Sequence, residues 1–168
     1  MLPSRRQGHA MDNRVITEQQ GEALRYVLSG ILVRADTEAV FVCDKGGNIV
    51  DHVSLDEKEL DVTIAALASG SFAATGELAR LIGEPTFRSV YHKGENKSVY
   101  MQNLGPGFLI LVLFGNKTTV GMVKLCIEKS LKSLEALLTE MSGQTVQSSG
   151  TKATFSMSGS DRIFKKKE

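Results

Sequence analysis

The chain contains no tryptophan, only two cysteines and three prolines in 168 residues, and a formal charge of just +1. Each shortage excludes something. Two thiols cannot build the disulfide framework of a small secreted scaffold. Cys43 and Cys126 each sit inside an apolar run, so they read as buried small hydrophobes in a reducing compartment; a disulfide or a reactive thiol is the alternative. Without CxxC or Cys/His spacing there is no zinc signature, and no metal or cofactor is expected. A net charge this small gives the whole molecule no nucleic-acid footprint. Long hydrophobic runs are missing too. The longest, Phe108 to Phe114, falls far short of the roughly 20 residues a membrane-spanning helix needs, so no stable membrane insertion is expected. Arg5 and Arg6 precede no apolar segment, which argues against a secretory signal. These readings point to a cytoplasmic protein.

What is present suits a single folded unit. The hydrophobic share is 42%, enough for a core. Residues 1–14 are expected to be a disordered N-terminus, with Met11 a candidate start, and residues 15–142 the folded domain. Residues 143–168 are expected to be a disordered basic tail, because Ser, Thr, Gly and Lys dominate there without apolar periodicity. Its end, Arg162 to Lys167, reads as a tethered recognition tag.

Residues 17–34 have helical spacing in Leu24, Val27, Leu28, Ile31 and Leu32, with Thr17 as N-cap. Two β-rich runs around Gly46-Gly47 predict a hairpin. Residues 57–82 read as a second helix ended by Gly83 and Pro85. Strands follow at 86–92, 97–103 and 108–114, the last apolar throughout and therefore central or covered on both faces. Residues 119–141 form the last helix, with Val123, Ile127, Leu131, Leu134 and Leu138 inward. The order is α-β-β-α-β-β-β-α. The fold class is α/β of the α+β kind: a five-stranded antiparallel sheet with helices on both faces, its short turns demanding antiparallel pairing.

Catalytic groupings are hard to find. His9, His52 and His92 stand in unrelated places, and no Ser/His/Asp or Cys/His arrangement follows from spacing. Asp56, Glu57, Glu59 and Asp61 open the second helix; a metal site is the sharper reading, favourable charge at a helix N-terminus the preferred one. Phe114 to Lys117 contains half of a guanine-reading Asn-Lys-x-Asp motif, but Thr119 stands where the Asp is required and no Walker A loop precedes it. A strand-to-helix turn explains it.

The second helix carries the most information. Ile64, Leu67, Ala74, Leu78 and Leu81 form one stripe, expected to pack on the sheet. The opposite stripe has Ala66, Gly70, Ala73 and Glu77, beside Ser69 and Gly76. A solvated face normally carries Lys, Glu and Gln; this one is small and nearly uncharged, at a cost in helix propensity at each glycine. Small residues admit another backbone, so contact with another chain is expected. Burial under part of the same chain is the alternative.

Residues 67–84 (LASGSFAATGELARLIGE) resemble the second helix of bacterial roadblock/dynein-light-chain proteins, specifically the MglB-type GTPase-activating branch. The resemblance continues through Phe87, the turn from His92 to Glu95, Ser98 to Met101, Leu109 to Phe114 and Thr119 to Lys124. It implies a homodimer that pairs third strands and packs second helices, making one continuous sheet, with Phe87, Ser89, Tyr91 and Gly76 at the interface. It implies a helical platform for a Ras-like small GTPase, using Ala66, Ser69, Gly70, Ala73, Glu77 and Arg80. It also implies no arginine donated in trans, so Arg80 is not expected to act as a finger. The sequence departs from that branch at Glu77, large and charged in a small-residue position, and in its basic rather than acidic tail.

Three function classes follow. The first is a GTPase-activating regulator without a catalytic site of its own, acting in polarity or motility. The second is a dimeric scaffold that leaves GTP turnover unchanged. An enzyme with an unrecognised site is the third and least supported.

Overall fold

A computed structural model describes residues 16–56, 61–105 and 107–147. The expectations for 1–14 and for the tail beyond 147 lie outside these residues, as do His9, Glu57 and Glu59. Helix α1 spans Glu18–Arg34 and starts as its sequence dictates. The Thr17 hydroxyl accepts from Gln20 N at 3.2 Å, while Thr17 N donates to Gln20 Oε1 at 3.1 Å. This reciprocal pair satisfies two of the amides a helix N-terminus leaves open. Thr17→Ala is expected to lower unfolding free energy by about 1 kcal/mol, read as a lower urea midpoint at unchanged slope. An unshifted midpoint would contradict the cap.

The remaining elements are β1 (Ala39–Asp44), β2 (Ile49–Ser54), α2 (Asp61–Leu81), β3 (Ser89–Lys93), β4 (Lys97–Asn103), β5 (Phe108–Gly115) and α3 (Val120–Gln147). The strands form one sheet in the order β2-β1-β5-β4-β3, each neighbouring pair antiparallel. The apolar strand β5 is central, as expected of a strand covered on both faces.

Strand alternation divides the core. Val40, Val42, Ile110 and Val112 face α1 and α3, where Leu24, Leu28, Ile31, Val123, Ile127 and Leu134 meet them. Phe41, Cys43, Met101, Leu109 and Leu111 face α2. Two side-chain bonds tie the paired helices: Gln20 Nε2 to Glu140 Oε1 at 3.2 Å and Arg34 Nη2 to Ser130 Oγ at 3.1 Å. Arg25 Nη2 donates to Asp51 Oδ1 at 2.8 Å and fastens α1 to the edge strand β2. Cys43 and Cys126 are buried, unpaired thiols in different halves of the core. Burial, then the nearby Asp44 charge, pushes the Cys43 thiol up to about 12. Its nucleophilic thiolate is therefore suppressed at neutral pH.

Among the described residues, two boundaries differ from expectation by more than one residue. α3 continues to Gln147, so residues 143–147 are helical rather than part of a disordered tail. Gly143 costs a helix only about 1 kcal/mol, and no proline follows to stop it. β3 begins at Ser89 instead of residue 86. Its partner sets that limit: Asn103 N donates to Arg88 O, and Leu104 N then turns to Phe108 O.

Candidate partner-binding surface

The position of α2 is set by the turn between β1 and β2. Asp44 Oδ1 accepts from Asn48 N and Asp44 Oδ2 from Asn48 Nδ2, both at 2.9 Å. Gly47 adopts φ +87, and a Cβ there would lie 2.8 Å from Ala66 Cα. The helix backbone therefore rests on the turn. At the start of α2, Asp61 turns toward the sheet, its Oδ2 3.3 Å from His52 Nε2, while the His52 ring stacks on Phe41 at 5.4 Å. Asp61 thus joins a contact with β2 and not an outward acidic cluster; among the described residues no group of His, Cys, Asp and Glu is arranged to hold a metal. The helix ends on Gly83 at φ +83, with Glu84 N donating to Ala79 O at 2.9 Å and Gly83 N to Arg80 O at 3.2 Å. That is the double bond pattern of a glycine-capped C-terminus.

The inward stripe of α2 differs from the expected one. Asp61, Ala65, Ser69 and Ala79 are buried, and Ile64, Ala68 and Phe72 pack beside them on the sheet. Leu67, Leu78 and Leu81, expected inward, are 70%, 53% and 85% exposed, and Ala74 is exposed with them. Ser69, expected outward, is only 4% exposed. The reason is the close approach at Gly47, which meets Ala66 and Ser69 and, with Ile64 and Phe72 on the sheet, leaves Leu67, Leu78 and Leu81 outside.

Of the expected platform residues, Ala66, Gly70, Ala73, Glu77 and Arg80 do share the exposed face. Ser69 is turned inward and Gly76 is half-buried. Sequence reasoning missed the largest members of that face: Val62, Leu67, Leu78, Leu81 and Ile82. Phe72, the helix's single aromatic, was the available signal, since phasing the helix on it sends these residues outward. Arg80 Nη2 donates to Glu77 Oε2, so both charges on the face are engaged with each other. By length and composition α2 is apolar enough to cross a membrane, yet it lies along the sheet with Asp61 and Ser69 buried.

Beside this face runs the sheet edge. β3 pairs with β4 alone, so its outer N–H and C=O groups have no strand partner among the described residues. Val90 packs on the α2 side, where His92 Nε2 lies 3.3 Å from Ser71 Oγ and ties the edge to the helix. On the opposite side Tyr91 stacks on Phe114 at 6.1 Å and its hydroxyl donates to Ser98 Oγ at 3.4 Å. Ser89 begins the strand, and Phe87, expected within it, precedes it half-buried. The residues Gly115 to Thr119 make the turn from β5 into α3, where Met122 N donates to Thr119 Oγ1 at 3.3 Å, which accounts for the partial guanine motif.

Comparison with known proteins places this arrangement. The structure of the gliding protein MglB from Thermus thermophilus superposes with a TM-score of 0.72 at 25% identity, covering 78% of this chain and 99% of that one. Myxococcus xanthus MglB gives 0.69 at 30% identity, covering 76% and 96%. An uncharacterized Aquifex aeolicus protein is 23% identical over 125 residues, 73% of this chain and 77% of its own. Residues 27–114, more than half of the chain, match the Roadblock/LC7 domain. The element order, the central β5 and these matches agree, and the chain belongs to the Roadblock/LC7 domain family.

Proposed function

We propose that this chain is a homodimeric, cytoplasmic platform for a Ras-like small GTPase, whose GTP hydrolysis it stimulates in control of polarity or motility. The observation that carries this reading is the outer face of α2. Leu67, Leu78 and Leu81 stand exposed beside small residues, contiguous with an unpaired strand edge. An exposed apolar patch of this kind marks an interaction surface, and a free edge such as β3 invites pairing with a second copy. Two copies joined through β3, with Phe87, Ser89, Tyr91 and Gly76 near the seam, would bring their α2 helices together as one docking face. The MglB likeness supports a GTPase as the occupant, and the Thermus protein's description as a gliding protein fits a role in motility.

On this reading the chain supplies a surface and the reacting groups belong to the GTPase. Arg80 pairs with Glu77 in solvent, and, as the family resemblance implies, the GTPase's own residues perform the chemistry once docking orders them. Arg80→Ala is expected to lower saturated GTP turnover by less than about tenfold, against the ~10³–10⁵ that an arginine finger contributes. Single-turnover hydrolysis with binding verified reads this directly, and a thousandfold loss would make Arg80 a finger.

The same Glu77–Arg80 pair, placed on the docking face, favours a second reading: a dimeric scaffold that recruits the GTPase without altering turnover. The test of the platform is size-exclusion chromatography with light scattering, alone and with the GTPase loaded with a non-hydrolysable GTP analogue. A dimer that shifts to a larger complex is expected; a monomer at micromolar concentration, or no complex, contradicts it.

A further inference from the structure

Between the second half of α2 and the sheet lies a cavity of about 170 Å³. Phe72 and Gly76 of α2 and Phe108 and Leu109 of β5 wall it with apolar surface. Lys45, Ser69, Thr86 and Asn103 bring polar groups to it. The chemistry of these groups leans one way. Lys45 is the one charged residue of the lining, and it takes part in no ion pair among the described residues. Ser69 is 4% exposed, and its hydroxyl has no hydrogen-bond partner among the described residues, although a buried hydroxyl is normally paired. Asn103 Oδ1 already accepts from Gly105 N at 3.1 Å, so its amide has N–H donors left to offer a ligand. The lining thus presents a cation and donors with no carboxylate, the complement of an anion. The apolar volume bounds the rest of the ligand, since a dry cavity of about 150 Å³ accepts a benzene molecule.

We infer that this cavity binds a small monocarboxylate whose apolar body is about the size of one aromatic ring. The body lies against Phe72, Phe108 and Leu109, and the carboxylate turns toward Lys45, Ser69 and Asn103. The site is immediately behind the exposed face of α2, with Ala73 belonging to both. A bound acid therefore lies directly beneath the platform. Binding itself requires no GTPase, so the inference and the proposed function fail separately.

The test is a heteronuclear NMR titration of the full chain with benzoate, benzyl alcohol and benzylamine. Benzoate is expected to saturate, with amide shifts clustered at Lys45, Ser69, Gly76 and Asn103. Its affinity should exceed that of the uncharged alcohol by about tenfold, the scale of hydrogen bonds to a charged group, and benzylamine should bind most weakly. Lys45→Gln, at an exposed turn position, should bring benzoate toward the alcohol's affinity while leaving the alcohol unchanged. Gly76→Leu should abolish both, because a Cβ at Gly76 meets nothing within 4 Å and the added side chain has the cavity to fill. Should Gly76→Leu fail to fold, Lys45→Gln still decides the matter. Equal affinity for acid and alcohol, or shifts scattered away from the cavity, overturns the inference. Absence of saturable binding overturns it equally, which is the outcome if a second copy's side chain already fills the cavity in the dimer.

Discussion

Ala73→Arg is expected to leave the domain folded and to abolish capture of the GTPase. Ala73 is exposed on α2, with Gly70 one turn before it and Glu77 one turn after. Arginine is nearly as good a helix former as alanine, so the substitution costs the helix only a few tenths of a kcal/mol. Its long side chain leads into solvent in the free protein. In a complex it would have to be buried at a position that holds only a methyl group in this chain. An uncompensated buried charge costs about 3–5 kcal/mol, which weakens affinity by more than about a hundredfold. Circular dichroism checks the fold and calorimetry checks the binding. Unchanged affinity would remove Ala73 from the platform.

Gly47→Ala is expected to destabilise the domain severely. Two penalties add at one position. The backbone at φ +87 is strained for any residue with a Cβ, and that Cβ would sit 2.8 Å from Ala66 Cα. The neighbour is helix backbone and cannot swing aside. Left-handed strain costs about 1–3 kcal/mol and overpacking a further ~1–3 kcal/mol, so urea denaturation should show a loss of roughly 2–6 kcal/mol, the sum of those two terms. Gly70→Ala is the control: a Cβ there meets nothing within 4 Å, and the helix should gain up to about 1 kcal/mol. If both variants melt like the parent, α2 does not rest on the turn.

These two glycines also show how far the sequence could be read. Elements governed by local signals were legible. The Thr17–Gln20 box fixes the start of α1, Gly46-Gly47 marks the first hairpin, and Gly83 caps α2. Elements governed by distant partners were not. The start of β3 depends on where β4 ends, which no residue between 86 and 88 announces. The phase of α2 was misread for a physical reason: the helix carries apolar side chains all round, and Leu67, Leu78 and Leu81 outweighed Ala65, Ser69 and Ala79 in any reckoning by size. The close approach of the Gly47 turn, together with Phe72, shows that the side carrying Ala65 and Ser69 faces the sheet. Ala66, Gly70, Ala73, Glu77 and Arg80 were nevertheless placed on the exposed face by sequence, because they lie on the flank that both phasings share. Ser69 lies on the flank where they differ, and it proved to line a cavity instead of a surface.

The most direct measurement is single-turnover GTP hydrolysis by the Ras-like partner under saturating amounts of this chain, with Ala73→Arg run in parallel. Stimulation of at least about tenfold is expected, below the ~10³–10⁵ of a donated arginine, and it should vanish with Ala73→Arg. An unchanged rate with the GTPase demonstrably bound would contradict activation and leave the scaffold; an unchanged rate with no binding would contradict the platform itself.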